Sequence, residues 1–128
     1  MGTTSIKVGE QLYEFRGRFT GVTEFGVGMD ALTGGTAAPP PEGARFDVAF
    51  AGACSGPRVT GPVVGVDYIH VRADGRFQLH IHAAITTDDG ATIALFGDGV
   101  ASPREGSALV DLRENVTLTT SFPAYAWV

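Results

Sequence analysis

The chain has 128 residues and a net charge of −5, with 44% hydrophobic and 18% charged residues. This composition excludes a disordered chain, and the acidic excess disfavours nucleic acid and anionic membranes as partners. Eighteen glycines and seven prolines interrupt the sequence too often for long helices. We therefore predict a turn-rich, all-β protein.

No apolar run approaches the roughly 20 residues of a membrane helix, and the first ten residues lack the apolar centre of a signal peptide. A cytoplasmic location is therefore expected. Cys54 is the only cysteine, which excludes an intrachain disulfide and a cysteine metal cluster.

Short apolar runs separated by turn residues follow one another along the chain. The first predicted strand covers residues 11–22 and leads into a flexible Gly/Pro-rich loop at about 26–44. Strict alternation then marks residues 46–51 as a strand. Residues 103–112 read as a helical turn or loop. Further strands are predicted at residues 57–65, 66–72, 76–87, 91–96, 114–122 and 124–128. Seven or eight strands joined mostly by hairpins predict one antiparallel β-barrel domain over residues 1–128.

Two Asp-Gly turns, Asp74-Gly75 and Asp89-Gly90, join consecutive strands. A two-residue turn and a three-residue loop closed by a left-handed glycine both fit an Asp-Gly pair. We favour the three-residue loop, because the residue before each aspartate suits a right-handed corner.

The three-residue loops determine which side chains share a face. His80 then lies opposite Asp98, and all three histidines fall on one polar face. That face holds Tyr68, His70, Arg72, Gln78, His80, His82, Thr86, Phe96 and Asp98. The other face holds Ile69, Val71, Phe77, Leu79, Ile81, Ile85, Ile93 and Leu95, with Asp67 as its lone charge. A slip of one residue would reverse these assignments.

The polar face suggests an acid–base set. Asp98 could orient His80 as general base or acid, while Tyr68 donates to a developing oxyanion. Alternatively, the polar face is simply the solvated side of the sheet. A zinc site formed by His70, His80 and His82 is a third interpretation. The leading interpretation needs no cofactor.

Asp67 is the second candidate catalytic residue. A carboxylate among aliphatic side chains needs a partner, or its pKa rises and it can transfer protons. The possible partners are Arg58, Arg72 and Arg113.

Several short motifs together resemble the family catalogued as domain of unknown function 3237. The motifs lie at residues 56–61, 65–68, 71–75, 87–90 and 123–127. The resemblance implies a small single-domain β-barrel, similar in outline to lipocalin-like and allene-oxide-cyclase-like barrels, with no established general activity. It also implies that Asp67, Arg72, Tyr125 and Trp127 are pocket or barrel-end positions.

The sequence departs from the family pattern at four places. Tyr68 and Ala73 stand where the family usually has Trp and Pro. His80 and His82 stand where it usually has a charged residue and Arg. Any inherited mechanism therefore requires its own evidence in this chain.

The leading functional hypothesis is a barrel enzyme of the cyclase, isomerase or lyase type, acting on a small, largely apolar organic molecule. Its candidate catalytic residues are His80, Asp98, Tyr68 and Asp67. Its candidate substrate-binding residues are His70, Arg72, His82, Phe96, Tyr125 and Trp127. The alternatives are a non-catalytic barrel that carries a hydrophobic metabolite, and a structural module whose histidine face packs on a partner. A homodimer or higher homo-oligomer is also expected.

Overall fold

The computed structural model describes residues 6–104, 106 and 110–128. Six β-strands form one antiparallel sheet in chain order. The strands are β1 (Glu14–Glu24), β2 (Ala44–Ser55), β3 (Gly61–Val71), β4 (Phe77–Thr86), β5 (Thr92–Pro103) and β6 (Val110–Thr119). The helices are α1 (Met29–Thr33) and a 3₁₀ helix (Pro123–Tyr125). In the described part of the chain, no helix is long and apolar enough to cross a bilayer.

The prediction of an all-β antiparallel fold is confirmed. Each strand pairs with its neighbour in sequence, while β1 and β6 do not pair with each other within the described residues. Among the residues that the structure describes, the sheet has six strands where seven or eight were expected, and a fully closed barrel stays a prediction.

Three predicted boundaries were wrong. Residues 57–65 and 66–72 share the single strand β3, because Pro62 sits at its second position, where a missing N–H is tolerated. Residues 124–128 are not a strand, since Pro123 opens a 3₁₀ turn there. Strands β5 and β6 extend into residues 103–112, and of that segment residues 105 and 107–109 lie outside the described part of the chain.

Both Asp-Gly hairpins have the predicted geometry. Gly75 and Gly90 adopt φ of +89° and +92°. The Gly90 N–H donates to the Thr87 carbonyl at 3.0 Å, and the Thr87 N–H donates to the Ala91 carbonyl at 2.8 Å. This register places His80 opposite Asp98, as predicted.

Replacing Gly90 with alanine is expected to cost about 1 kcal/mol of unfolding free energy, because a Cβ is disfavoured at positive φ. Gly21→Ala is the control, since the nearest atom to its added Cβ is the Ala49 Cβ at 4.0 Å and its φ is not left-handed. Urea denaturation would measure both. Equal losses in the two variants would contradict the turn assignment.

Two hydrophobic clusters lie on the aliphatic face of the sheet. The first cluster comprises Ala44, Phe46, Val48, Ile69, Val71, Leu79 and Ala101. The second comprises Cys54, Val59, Val63, Ile85 and Ile93. The predicted loop at 26–44 contains α1, and Val27, Met29 and Leu32 pack against the first cluster. This segment therefore covers one end of the sheet.

Candidate active site

A cavity of about 420 Å³ opens on the aliphatic face, in contact with both hydrophobic clusters. Its walls are aliphatic side chains and four aromatic rings, those of Tyr13, Phe15, Phe19 and Phe50. The strands β1 and β6 form the two edges of the sheet, and their lining residues are exposed. The cavity therefore opens between these two edges. Its volume lies within the range of small-molecule sites.

Gly97 on β5 leaves room beside the Asp67 carboxyl. Asp67, Ile81 and Gly97 lie in one cross-strand row, so Gly97 places no side chain there. A Cβ at Gly97 would lie 3.5 Å from the Ile81 Cβ, on the same face of the sheet as Asp67.

Asp67 is a half-buried carboxyl in the cavity wall. Its Oδ1 accepts the backbone N–H of His80 at 3.0 Å. This bond interrupts the β3–β4 ladder, which has no backbone pair between Asp67–Ile81 and His70–Gln78. Within the described residues Oδ2 accepts no hydrogen bond, and it is the oxygen left for a ligand.

The predicted arginine partners of Asp67 are not found. Arg58 pairs with Glu10 at 3.0 Å, and Arg72 pairs with Asp74 at 3.0 Å. Arg113 lies on the opposite face of the sheet, because the adjacent Glu114 lines the cavity and side chains alternate along a strand. The partner of the Asp67 carboxyl is therefore the main-chain amide of His80 and not an arginine side chain.

Burial raises the pKa of Asp67 above its ordinary value, and the amide hydrogen bond and charge of His80 offset only part of that rise. This agrees with the prediction that a carboxyl among aliphatic side chains resists ionisation.

Glu114, on β6, is a second carboxyl lining the cavity, and it lies on the exposed, open side. Partial burial raises its pKa, and the negative charge of Asp67 raises it further. Sequence reasoning missed Glu114, because β6 was predicted to begin at that residue. The available signal was the alternation of Leu112, Val116 and Leu118 around it, which puts Glu114 on their face.

Asp67→Asn is expected to gain stability relative to the wild type as the pH rises. A group whose pKa is raised by folding stabilises the fold below its unfolded pKa, and that contribution is lost as the pH rises through the folded pKa. The amide cannot ionise and escapes this loss. Urea denaturation from pH 3.5 to 7 would measure the difference, with exposed Asp98→Asn as the matched control. A difference that does not grow with pH would contradict the burial of Asp67.

The histidine face points away from the cavity. Tyr68, His80 and Asp98 are exposed on the outer face of the sheet. His80 and Asp98 lie directly opposite each other, yet no hydrogen bond joins their side chains within the described residues. The predicted sorting of faces is confirmed, and the cavity lies on the side of the sheet opposite to this predicted trio.

The three histidines do not form a metal site. In the described part of the chain, no group of three or more His, Cys, Asp or Glu side chains is arranged to hold a metal ion. His82 instead makes edge contacts with the rings of Tyr68 at 5.8 Å and Phe96 at 5.3 Å. His70 is half-buried on the same outer face.

The remaining predicted binding residues also lie outside the cavity wall. Arg72 forms its ion pair at a hairpin turn. The Tyr125 hydroxyl donates to Asp89 at 2.9 Å, and the Arg58 guanidinium lies 5.6 Å from the Trp127 ring centroid. Both aromatic residues pack against the second cluster.

Comparison with known proteins supports the fold. A family model described as a protein of unknown function (DUF3237) matches residues 18–128. A beta-barrel-like protein from Acinetobacter baumannii AYE superimposes with a TM-score of 0.63 and 21% identity, covering 90% of this chain and 79% of that chain. No curated protein matches. At this level of identity, the structural likeness shows the fold alone.

Proposed function

This chain belongs to the DUF3237 family, whose description gives no activity, and from the cavity itself we propose that it is an acid–base enzyme acting on a small, largely apolar organic molecule. One observation carries the proposal. Two carboxyl groups, those of Asp67 and Glu114, line a cavity whose other walls are almost entirely apolar. Burial raises the pKa of both carboxyls above the ordinary values, which is the direction that favours proton transfer at neutral pH.

The surroundings of the two carboxyls assign them different roles. Asp67 receives an N–H bond from His80, which favours its ionised form. Glu114 receives no such bond within the described residues, and the charge of Asp67 opposes its ionisation. We therefore assign Asp67 as the general base. We assign Glu114, whose ionised form the charge of Asp67 disfavours, as the general acid.

This pair suits reactions that move a proton without an electron acceptor. Asp67 would take a proton from an activated carbon, while Glu114 would protonate a carbonyl oxygen or a leaving group. Isomerisation, cyclisation and elimination all fit that scheme. The apolar walls would exclude water and hold the substrate by its hydrocarbon surface.

A carrier of apolar metabolites is the second candidate function. The exposed mouth between β1 and β6 favours it, because a ligand could enter and leave without movement of a lid. A carrier would bind apolar molecules without speeding any proton transfer. Binding and proton transfer must therefore be measured separately.

The experiment uses two small probes of known chemistry. N-phenyl-1-naphthylamine, which fluoresces in apolar surroundings, reports occupancy of the cavity. 5-Nitrobenzisoxazole reports a base: loss of its C3 proton breaks the N–O bond and releases a coloured cyanophenolate. We expect fluorescence on binding, and ring opening faster than with the same concentration of acetate.

The outcomes separate the candidate functions. Binding with accelerated ring opening supports the enzyme. Binding without acceleration contradicts the enzyme and supports the carrier. If neither probe binding nor ring opening is observed, both functions are contradicted, and the remaining hypothesis is a structural module.

A further inference from the structure

The charge of the cavity wall restricts its ligand. Among the described lining residues there is no lysine, arginine or histidine. The polar groups of the lining side chains are the Asp67 and Glu114 carboxyls and the Tyr13 hydroxyl. A carboxylate or phosphate ligand would meet negative charge without a cationic partner, at a high cost of desolvation. Anionic metabolites are therefore disfavoured in this cavity.

The hydrogen-bonding groups point to a donor-rich ligand. Three carboxyl oxygens in the cavity accept no hydrogen bond within the described residues: Oδ2 of Asp67 and both oxygens of Glu114. A primary ammonium carries three N–H donors and no acceptor. We propose that the cavity binds a primary amine with an apolar body, its ammonium group between Asp67 and Glu114. This inference rests on the proposed function, since it concerns the same cavity.

The aromatic walls suit such a ligand. The rings of Phe15 and Phe50 meet edge to face with centroids 5.8 Å apart, and Phe19 lies at the mouth. Aromatic faces attract cations and also cover hydrocarbon surface. The same aromatic rings can therefore contact both the ammonium group and the hydrocarbon body of an apolar amine.

Charge balance favours the ammonium form of the ligand. When Asp67 is ionised, the cavity wall carries a negative charge next to a second carboxyl, that of Glu114. One ammonium neutralises that charge, and buried charges are tolerated when they are paired. A neutral alcohol would leave the Asp67 charge uncompensated inside the cavity.

Three ligands that differ in one group test the proposal. 3-Phenylpropylamine, 3-phenylpropan-1-ol and 3-phenylpropanoate would each compete with N-phenyl-1-naphthylamine at pH 7. We expect the amine to bind about tenfold more tightly than the alcohol, because its hydrogen bonds are charge-assisted. The carboxylate should bind most weakly.

Variants test whether the two carboxyls cause the preference for the amine. In Asp67→Asn/Glu114→Gln the amine should lose its advantage while the alcohol binds as before, and Asp98→Asn should leave the order unchanged. An alcohol that binds as tightly as the amine overturns the inference and leaves the acid–base proposal standing. If none of the three ligands displaces the probe, the inference is overturned, while probe binding and ring opening still decide the proposed function. An amine preference that survives the double variant also overturns the inference.

Discussion

Replacing Asp67 with asparagine is expected to lower the rate of 5-nitrobenzisoxazole ring opening by about 100-fold or more, the usual contribution of a positioned general base. The amide has the size of the acid and still accepts the His80 N–H through its oxygen. It cannot accept a proton from carbon at neutral pH. The loss should therefore appear in the rate constant, while fluorescence of the bound N-phenyl-1-naphthylamine is retained.

The pH profile and a second variant check this expectation. Because burial raises the pKa of Asp67, the wild-type rate should begin to rise at a higher pH than the ordinary aspartate value of about 3.9 would give. Asp98→Asn removes an exposed carboxylate from the outer face and should leave the rate unchanged. An Asp67→Asn variant with the full wild-type rate would remove Asp67 from the mechanism.

Replacing Phe46 with alanine is expected to cost about 3–5 kcal/mol of unfolding free energy. Phe46 is 0% exposed and packs among Val48, Val71 and Leu79 in the first cluster. Its removal loses buried apolar surface and leaves a void that the strands cannot close. Since domains of this kind have only about 5–15 kcal/mol of stability, this single change consumes a large share of it.

Phe19→Ala is the matched variant at the cavity mouth. Phe19 is 68% exposed, so its removal should change the unfolding free energy by less than about 1 kcal/mol. The same change should weaken binding of N-phenyl-1-naphthylamine, because the ring is part of the cavity wall. Urea denaturation and probe titration measure the two effects. A large stability loss at Phe19 with unchanged binding would mean that the ring belongs to the core and not to a ligand site.

Local rules were sufficient for the register of the central strands. The glycines of two Asp-Gly turns fixed the hairpin type, and the hairpin type fixed which residues oppose each other. From there, alternation sorted His80 and Asp67 to opposite faces. Burial of Ile69 and Ile81 beside Asp67 confirms the sorting.

The location of the cavity could not be read from the same rules. Alternation separates two faces, but it does not tell which polar group the curved sheet encloses. The three histidines offered more candidate catalytic groups, but they lie on the outer face of the sheet. The cavity contains Asp67, which the sequence singled out, and Glu114, which it did not. Glu114 comes within electrostatic reach of Asp67 although two strands separate β3 from β6. That proximity is a property of curvature and follows from no local motif.

Asp67 is a half-buried carboxyl in the wall of an apolar cavity, and burial opposes its ionisation. The most direct measurement is a pH titration of its side-chain ¹³C carboxyl signal by NMR, with the signal assigned from its loss in Asp67→Asn. Because burial raises the pKa of Asp67, we predict a titration midpoint above the ordinary aspartate pKa of about 3.9. A midpoint at or below that value would show a solvated or strongly paired carboxylate and would contradict the proposed acid–base role.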